Sequence, residues 1–550
     1  MKISLIGINS KFIHTNIAIR HIKANCDFPT SIYEFTIKDN PHDIIKSIIS
    51  MNSDVIGFSC YIWNINIIKN VAEEIKRTKP QITIVFGGPE VSYEYEDYLY
   101  KGIADFIIIN EGEIAFNLLI NSLKNNLSLL DVPNLAFIQK KEIKKTSTHQ
   151  IQDLTSLKNP YRFNEDIPHI KNKIQYIELS RGCPFHCSYC LASLDKPVRF
   201  LPLYQVLDDI DYLVTHGAKT IKFLDRSFNA NPIIALEFFK ALIDKNYSST
   251  VFQFEINADT LKDEVIALLK ESLKPNYFRF EIGVQSTNDS VNKAIHRIQN
   301  TEKLIRNVNN LKQTNIDLHL DLIAGLPYED YNSFKKTFNQ IFLLFNKELQ
   351  LGFLKMLKGT IIRDESYKYD YSYNLSPPYE VISNRFISER ELNEIRKVET
   401  MLEIYWNKGF FKNTIKLLTE RTEQPFDFFL QLCNFYELED LSTKRYQLYD
   451  IFYNLMNYLK KNHRLSDEVF DSLKFDYLTY HNIKPKLFWE NKIHKNNILR
   501  NFHTKIPDYK IDILFKYSLV CEYKRGYLIV LYLPEKKKYF YYNIDEAENV

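Results

Sequence analysis

Glycine is scarce in this chain, with only 14 among 550 residues, well under the ordinary ~7%. That excludes a collagen-like fibre and implies that most remaining glycines hold positions a Cβ would spoil. All but Gly409 and Gly526 precede residue 360, so the chemistry is expected in the first two thirds. Long apolar runs are also missing. None approaches the roughly 18–20 residues of a membrane span, 527–533 being among the longest, so no membrane association is expected. The net charge of +3 is too small to argue for nucleic acid by bulk electrostatics. Seven cysteines are too few for a disulfide scaffold and suit a reducing compartment with a metal or catalytic role. What is present, 45% hydrophobic and 25% charged residues, is the composition of an ordinary globular protein. The opening Met1-Lys2-Ile3-Ser4-Leu5-Ile6-Gly7 reads as a first β-strand rather than a signal peptide, and a cytoplasmic location is expected. At about 150 residues per domain, the length predicts three or four units.

Residues 1–135 alternate short apolar runs, at 3–8, 31–37, 54–59, 82–86 and 105–109, with amphipathic stretches such as 41–51 and 64–76. This predicts a doubly wound, Rossmann-like α/β domain with a parallel sheet. The segment 136–172 is expected to be a linker, with a solvated hairpin at the charged stretch 140–145. A second series, 173–368, places strands near 176–180, 220–224, 251–256, 277–283, 318–323 and 349–355. Six strand–helix repeats predict a partial (β/α)6, TIM-like barrel with its site at the strands' C-terminal ends. Residues 369–550 read as a mainly helical domain, with a helix at 388–406 and a terminal strand pair at 517–522 and 527–533. There is no repeat of fixed period beyond the α/β alternation.

The cysteines are unevenly spread. Cys26, Cys60, Cys433 and Cys521 are isolated, whereas Cys183, Cys187 and Cys190 follow one strand with the spacing C-x₃-C-x₂-C. Thiolates are soft ligands that select zinc, copper(I) or iron–sulfur clusters. A structural zinc site normally wants four ligands, and here only His186 is at hand to complete the set. A cubane cluster held by three thiolates keeps one iron open for an exogenous ligand, as a catalytic cluster requires. Gly182 allows the turn into the loop, and Tyr189 is placed to shield a cluster.

This motif after the first strand of a barrel-like series resembles the radical S-adenosylmethionine superfamily. The resemblance implies a 4Fe–4S cluster on Cys183, Cys187 and Cys190, whose open iron takes the amino and carboxylate groups of S-adenosylmethionine. It further implies that Asp225, in Phe223-Leu224-Asp225-Arg226-Ser227, lies in the segment whose backbone meets the methionine amino group. In the oxygen-independent coproporphyrinogen oxidase branch, a similar Glu, Gln, Arg and Asp series contacts the cofactor. Here it corresponds to Glu255 for the amino group, Gln285 for the methionine end, Arg297 for the carboxylate and Asp321 for the ribose. A guanidinium pairs bidentately with a carboxylate, and an aspartate accepts from vicinal hydroxyls.

Strand ends in the N-terminal domain carry Gly57-Phe58-Ser59, Gly87-Gly88-Pro89-Glu90 and Asn110-Glu111-Gly112-Glu113. A doubly wound sheet binds across its carboxyl edge, and glycines there let a bulky ligand lie against backbone. Neither G-x-G-x-x-G nor a Walker lysine is present, which disfavours a dinucleotide or a nucleoside triphosphate. Upstream of a radical barrel, these segments resemble the cobalamin-binding domain of cobalamin-dependent radical enzymes. The resemblance implies contacts from Ser59, Gly87, Gly88, Pro89, Glu111 and Gly112. The Asp-x-His-x-x-Gly loop that supplies a cobalt ligand in methionine synthase is absent; His14 is the nearest histidine, and a helix-start role is the plainer reading.

The reading is a radical enzyme with three cofactors, the cluster, S-adenosylmethionine and cobalamin. Methyl transfer to an unidentified substrate ranks first, with a flavodoxin- or ferredoxin-like reductant as partner. No residue is singled out as a catalytic acid, base or nucleophile. Radical ring formation or rearrangement, and a non-catalytic iron–sulfur or cobalamin sensor, are the alternatives. A methylthiotransferase is disfavoured because Cys26 and Cys60 alone do not supply a second cysteine cluster.

Overall fold

The computed structural model describes residues 1–272, 274–422, 424–506 and 508–543. The chain forms two compact units, one of residues 1–330 with 351–389, the other of 331–350 with the chain from 390 onward.

The first unit begins with seven strands: β1 (Ile3–Asn9), β2 (Thr30–Thr36), β3 (Val55–Ser59), β4 (Thr83–Gly87), β5 (Phe106–Ile108), β6 (Leu135–Gln139) and β7 (Glu142–Lys145). They form one sheet in the order β2-β1-β3-β4-β5-β6-β7. The pairings from β2 to β5 are parallel, as the short apolar runs predict. Alternate side chains feed two core layers: Ile56, Phe58, Ile84 and Phe86 pack on one face, Leu5, Val55, Val85 and Phe116 on the other. The strand order reverses between β1 and β3, which puts a ligand crevice at their carboxyl ends. The 140–145 hairpin forms, but not as part of a linker. Its strands extend the sheet antiparallel to β5, with Leu135, Ala136 and Phe137 buried. Lys140 and Lys141 make the turn with φ of 52° and 67°, a left-handed pair usually given to Asn and Gly. Lysines on the edge strand β7 guard it against further pairing.

The barrel comprises β8 (Gln175–Ile177), β11 (Thr220–Phe223), β12 (Val251–Ile256), β13 (Phe278–Gln285), β14 (Asp317–Ala324) and β15 (Glu348–Phe353). Their order is β15-β14-β13-β12-β11-β8, the expected open (β/α)6 arrangement. The first strand is shorter than expected, because after Ile177 the chain enters a separate two-stranded ladder. There β9 (Ser180–Arg181) runs antiparallel to β10 (Arg199–Phe200) and closes the base of the cysteine loop. Along β13, Phe278, Phe280, Ile282 and Val284 are buried while Arg279, Glu281, Gly283 and Gln285 are half-buried. The buried face joins an aromatic layer in which Phe254 lies 4.8 Å from Phe223 and 4.7 Å from Phe228. The opposite face is polar, with Lys222 and Glu281 paired at 2.6 Å and His319 3.1 Å from Asp321. Two short strands, β16 (Ser372–Tyr373) and β17 (Val381–Ser383), pair at the end of this unit.

The second unit is helical around an aromatic core that includes Phe338, Phe342, Trp406, Phe426 and Phe429. The helix expected at 388–406 is Glu389–Leu402 followed by a π-helical turn, Glu403–Asn407. The terminal strand pair is a trio: β18 (Ser518–Tyr523), β19 (Gly526–Tyr532) and β20 (Lys537–Asn543) form an antiparallel sheet. The third strand hides behind Lys536, Lys537 and Lys538, and on it only Tyr542 is buried. The end of the domain expected at 369–550 lies outside the described residues from 544 on.

Candidate functional site

The three clustered cysteines lie on the loop between β9 and β10, with Cys183 and Cys187 buried and Cys190 half-buried. Gly182 turns into it at φ +97°, where a Cβ would meet the carbonyls of Asp195 and Pro197 at 2.9 Å each. The Cys183 N–H donates to the Asp195 carbonyl at 3.1 Å, and Ser193 Oγ donates to the carbonyls of Cys187 and Cys190 at 3.0 and 2.7 Å. The backbone therefore holds the loop with the thiols uncommitted to each other. Burial pushes the Cys183 and Cys190 thiols up, so a cationic ligand is what would hold them as thiolates. Among the described residues no three His, Cys, Asp or Glu groups converge on a single metal ion. His186 is exposed and its ring faces the Lys196 ammonium. That geometry disfavours mononuclear zinc with His186 as fourth ligand. A cubane binds each thiolate to a different iron, so its ligands need not meet at one point.

The barrel brings the other expected residues to its C-terminal ends. Arg297 reaches the cysteine loop, beside Cys187 and Tyr189. Its Nη2 donates to the Gly283 carbonyl at 2.5 Å and its Nε to Gln299 Oε1 at 2.8 Å. Gln285 ends β13 at φ +65° with its Oε1 buried and without a hydrogen-bond partner, an orphaned acceptor that a donor from a ligand would satisfy. Glu255 faces Arg226 at 3.5 Å; burial raises its carboxyl, with Arg226 and Lys222 opposing. Asp321 stands across from Gly283 in the β13–β14 register. Asp225 differs. Its carboxylate accepts from Ser180 Oγ at 2.5 Å and from the Leu179 N–H at 2.9 Å, tying the ends of β8 and β11 together. Burial lifts its carboxyl to about 7, with those hydrogen bonds opposing. The Asp225 carboxylate is thus engaged by the chain, and the resemblance assigns the ligand contact to the backbone of this segment.

Also within the first unit, a cavity of about 1000 Å³ opens at the carboxyl edge of the β1–β5 sheet. That is the upper end of the range for small-molecule sites, about 300–1,000 Å³. Ser59, Gly87, Gly88, Pro89, Glu111 and Gly112 all line it, facing Tyr176, Glu178, Arg181, Leu224 and Arg226 from the barrel. Ser59 Oγ accepts from Asn16 Nδ2 at 2.8 Å, which leaves its proton free to donate. His14 lines the same space, with its Nδ1 2.6 Å from Tyr176 Oη.

Comparison with known proteins places three family models on the chain: "B12 binding domain" on residues 3–120, "Radical SAM superfamily" on 177–341, and "Protein of unknown function (DUF4080)" on 367–520. The chain carries a B12-binding domain, a radical SAM domain and a DUF4080 domain, in that order. The anaerobic magnesium-protoporphyrin IX monomethyl ester cyclase of Synechocystis is 29% identical over 253 residues, covering 44% of this chain and 50% of that protein. The cobalamin-dependent radical SAM methyltransferase TokK of Streptomyces tokunonensis is 25% identical over 314 residues, covering 54% and 46%. The chain thus spans about half the length of the curated relatives it matches. In fold it resembles the cobalamin-dependent radical enzyme OxsB, solved with aqua-cobalamin and S-adenosylmethionine, at TM-score 0.60 and 15% identity over 86% of this chain and 78% of that one. The methyltransferase TsrM from Kitasatospora setae, solved with cobalamin and a 4Fe–4S cluster, gives 0.55 at 12% identity over 66% and 75%.

Within the radical SAM domain, the sequence did not single out Glu178 or Arg181, and in the B12-binding domain it missed Glu113. Arg181 Nη2 lies 2.6 Å from Glu113 Oε1 and 2.8 Å from Glu178 Oε1. Burial works against the Arg181 cation, but Glu178 and Glu113 raise it well above its ordinary value. Burial likewise opposes the Glu113 carboxylate, and Arg181 with His21 holds it below the usual range. Two opposite charges three residues apart, Glu178 and Arg181 in Ile177-Glu178-Leu179-Ser180-Arg181, were the available signal. Glu111 stands in the cavity wall, and Arg199 Nη1 and the Ile151 N–H donate to its carboxylate at 2.8 and 2.7 Å, so both of its oxygens already have donors from the chain.

Arg297→Ala, made in protein that retains its cluster, is expected to weaken S-adenosylmethionine binding. Loss of a charge-assisted contact costs roughly 1.5–3 kcal/mol, about ten- to a hundredfold in Kd. Equilibrium binding measures it, and wild-type affinity would remove Arg297 from the site.

Proposed function

We propose that this protein is a radical S-adenosylmethionine enzyme that transfers a methyl group through cobalamin to a substrate still to be identified. The observation carrying the reading is the arrangement within the first unit. Three cysteines free of disulfides, with Gln285 and Arg297, stand at the barrel's C-terminal ends, and the cavity that abuts the same strand ends is lined by Ser59, Gly87 and Gly88. When bound, the cluster supplies the electron that cleaves S-adenosylmethionine to a 5′-deoxyadenosyl radical, and cobalamin carries the methyl group.

In this reading Cys183, Cys187 and Cys190 hold the cluster, and Arg297 fixes the carboxylate of S-adenosylmethionine. Gln285 offers its buried Oε1 as an acceptor, and Asp321 accepts from the ribose hydroxyls. Gly87 lets cobalamin rest against β4, and the Ser59 hydroxyl donates to its polar edge. The buried aromatic layer around Phe223 and Phe254 keeps the barrel strands in place beneath them. A one-electron reductant completes the system. A methylthiotransferase remains disfavoured: Cys26 and Cys60 are buried in different core layers on opposite faces of the B12-domain sheet.

One observation favours a second reading, radical ring formation, since the cyclase of Synechocystis shares 29% identity over 253 residues. Product analysis separates the two. The reduced, reconstituted protein is expected to convert S-adenosylmethionine into both 5′-deoxyadenosine and S-adenosylhomocysteine. 5′-Deoxyadenosine without S-adenosylhomocysteine would favour ring formation, and neither product would sink the enzymatic reading.

A further inference from the structure

The Glu111 carboxylate lies in the cavity wall of the B12-binding domain, yet two of its three partners, Arg181 and Arg199, belong to the strands that bracket the cysteine loop. Its Oε1 accepts from Arg199 Nη1 at 2.8 Å and from Arg181 Nη1 at 3.3 Å, and its Oε2 from the Ile151 N–H at 2.7 Å. Arg181 is on β9, two residues before Cys183. Arg199 is on β10, where the loop returns.

Both arginines are bound further. Arg199 Nη2 donates to the two oxygens of Asp195 at 2.8 and 2.9 Å, and its Nη1 to the Ile151 carbonyl at 2.6 Å. The Asp195 carbonyl in turn accepts from the Cys183 N–H at 3.1 Å. Arg181 donates to Glu178 and pairs with Glu113. The side chains are withdrawn from solvent: Arg199 is 4% exposed, Glu113 7%, Arg181 13% and Glu111 16%. Asp195, the outer link, is 39% exposed, while water screens the inner pairs little, and planar guanidinium forks fix their geometry more tightly than lysines would.

We infer that Glu111 is a positioning residue for the cysteine loop, holding it from the B12-binding domain through Arg181 on one side and Arg199 on the other. The inference rests on the function proposed above and deepens it, because the wall of one cofactor's cavity then sets the geometry of the other cofactor's ligands. A shift of the Glu111 backbone would pass to Cys183 through two hydrogen-bonded links, Arg199 and Asp195, without any side chain crossing the cavity.

The test uses full-length protein, reconstituted anaerobically with iron and sulfide, with hydroxocobalamin as the cavity probe. In Glu111→Ala the hydroxocobalamin Kd is expected to stay within about threefold of wild type. Retained iron should fall below about half of wild type, or the reduced cluster should show a changed EPR spectrum and a shifted midpoint potential. Glu111→Gln, which keeps one acceptor oxygen, should fall between the two. Glu34→Gln is the control. Glu34 on β2 reaches the chain just before β8 through Lys173 at 2.7 Å and pairs with Arg20 of its own domain at 3.0 Å, away from the loop, and its loss should leave the cluster spectrum unchanged. If Glu111→Ala does not fold, Arg199→Lys supplies the same readout, since an ammonium cannot bridge Glu111 and Asp195 as the fork does. Wild-type iron, spectrum and potential in Glu111→Ala would overturn the inference. So would loss of hydroxocobalamin binding with an unaltered cluster, which would return Glu111 to the ligand contacts. A wild-type chain that takes up no iron would instead overturn the functional reading beneath it.

Discussion

Alanine at Cys183, Cys187 or Cys190 is expected to abolish reductive cleavage of S-adenosylmethionine and to strip most of the iron from the reconstituted protein. Each thiol is the sole ligand its iron would have from this chain, and the two neighbours most able to replace it are engaged elsewhere. His186 is turned outward to Lys196, and Ser193 Oγ is committed to the carbonyls of Cys187 and Cys190. The loop backbone does not depend on the thiols, being held by the Cys183 N–H, Ser193 and the β9–β10 ladder, so the variants should remain folded. Loss of activity should be complete, at the detection limit of 5′-deoxyadenosine, whereas thermal unfolding of the apoprotein should barely move. The same substitution at Cys433 or Cys521 should leave iron uptake intact, because those thiols are buried in the second unit. Full iron stoichiometry in a Cys183/Cys187/Cys190 triple variant would refute the cluster assignment.

Gly87→Val should remove cobalamin binding, weakening it by at least about a hundredfold, some 2.7 kcal/mol, while leaving the cluster in place. The structure separates two neighbouring glycines that look equivalent in sequence. At Gly88, with φ +117°, a Cβ would strike the Cys60 carbonyl oxygen at 2.6 Å, so a side chain there damages the sheet edge itself. At Gly87 a Cβ meets nothing nearer than Ile108 Cβ, at 3.8 Å. A Cβ at 87 therefore has room in the protein, and Gly87 lines the cavity wall. Titration of the full-length chain with hydroxocobalamin reads the effect, and unchanged binding would move cobalamin away from β4.

The sheet strands were legible because buried parallel strands must be apolar on both faces, and runs such as Val55–Ser59 and Thr83–Gly87 satisfy that locally. The barrel was legible from its repeat, although the polar face of β13, with Arg279, Glu281 and Gln285, shows only once Phe278, Phe280 and Ile282 are seen packing the other way. The hairpin of β6 and β7 escaped assignment to the sheet because its turn is lysine rather than asparagine or glycine. Strand β20 escaped because it carries the surface chemistry of an edge strand. Two glycines show roles in backbone shape: Gly87 ends β4 and lines the cavity, and Gly182 turns into the cysteine loop at φ +97°. Glu111 and Asp225 differ for one reason. What a carboxylate does is decided by the partner it finds, and Arg199 lies 88 residues from Glu111 while Ser180 lies 45 from Asp225. No local pattern encodes that choice.

The most direct test of the central claim is the iron, sulfide and cobalt content of the full-length protein. It would be purified and reconstituted without oxygen, supplied with hydroxocobalamin, and freed of unbound metal. The account predicts about four irons and about four sulfides per chain, with about one cobalt, the iron lost in the Cys183/Cys187/Cys190 triple variant and the cobalt lost in Gly87→Val. Iron without cobalt would withdraw methyl transfer through cobalamin, and a wild-type chain that retains neither metal would contradict the account altogether.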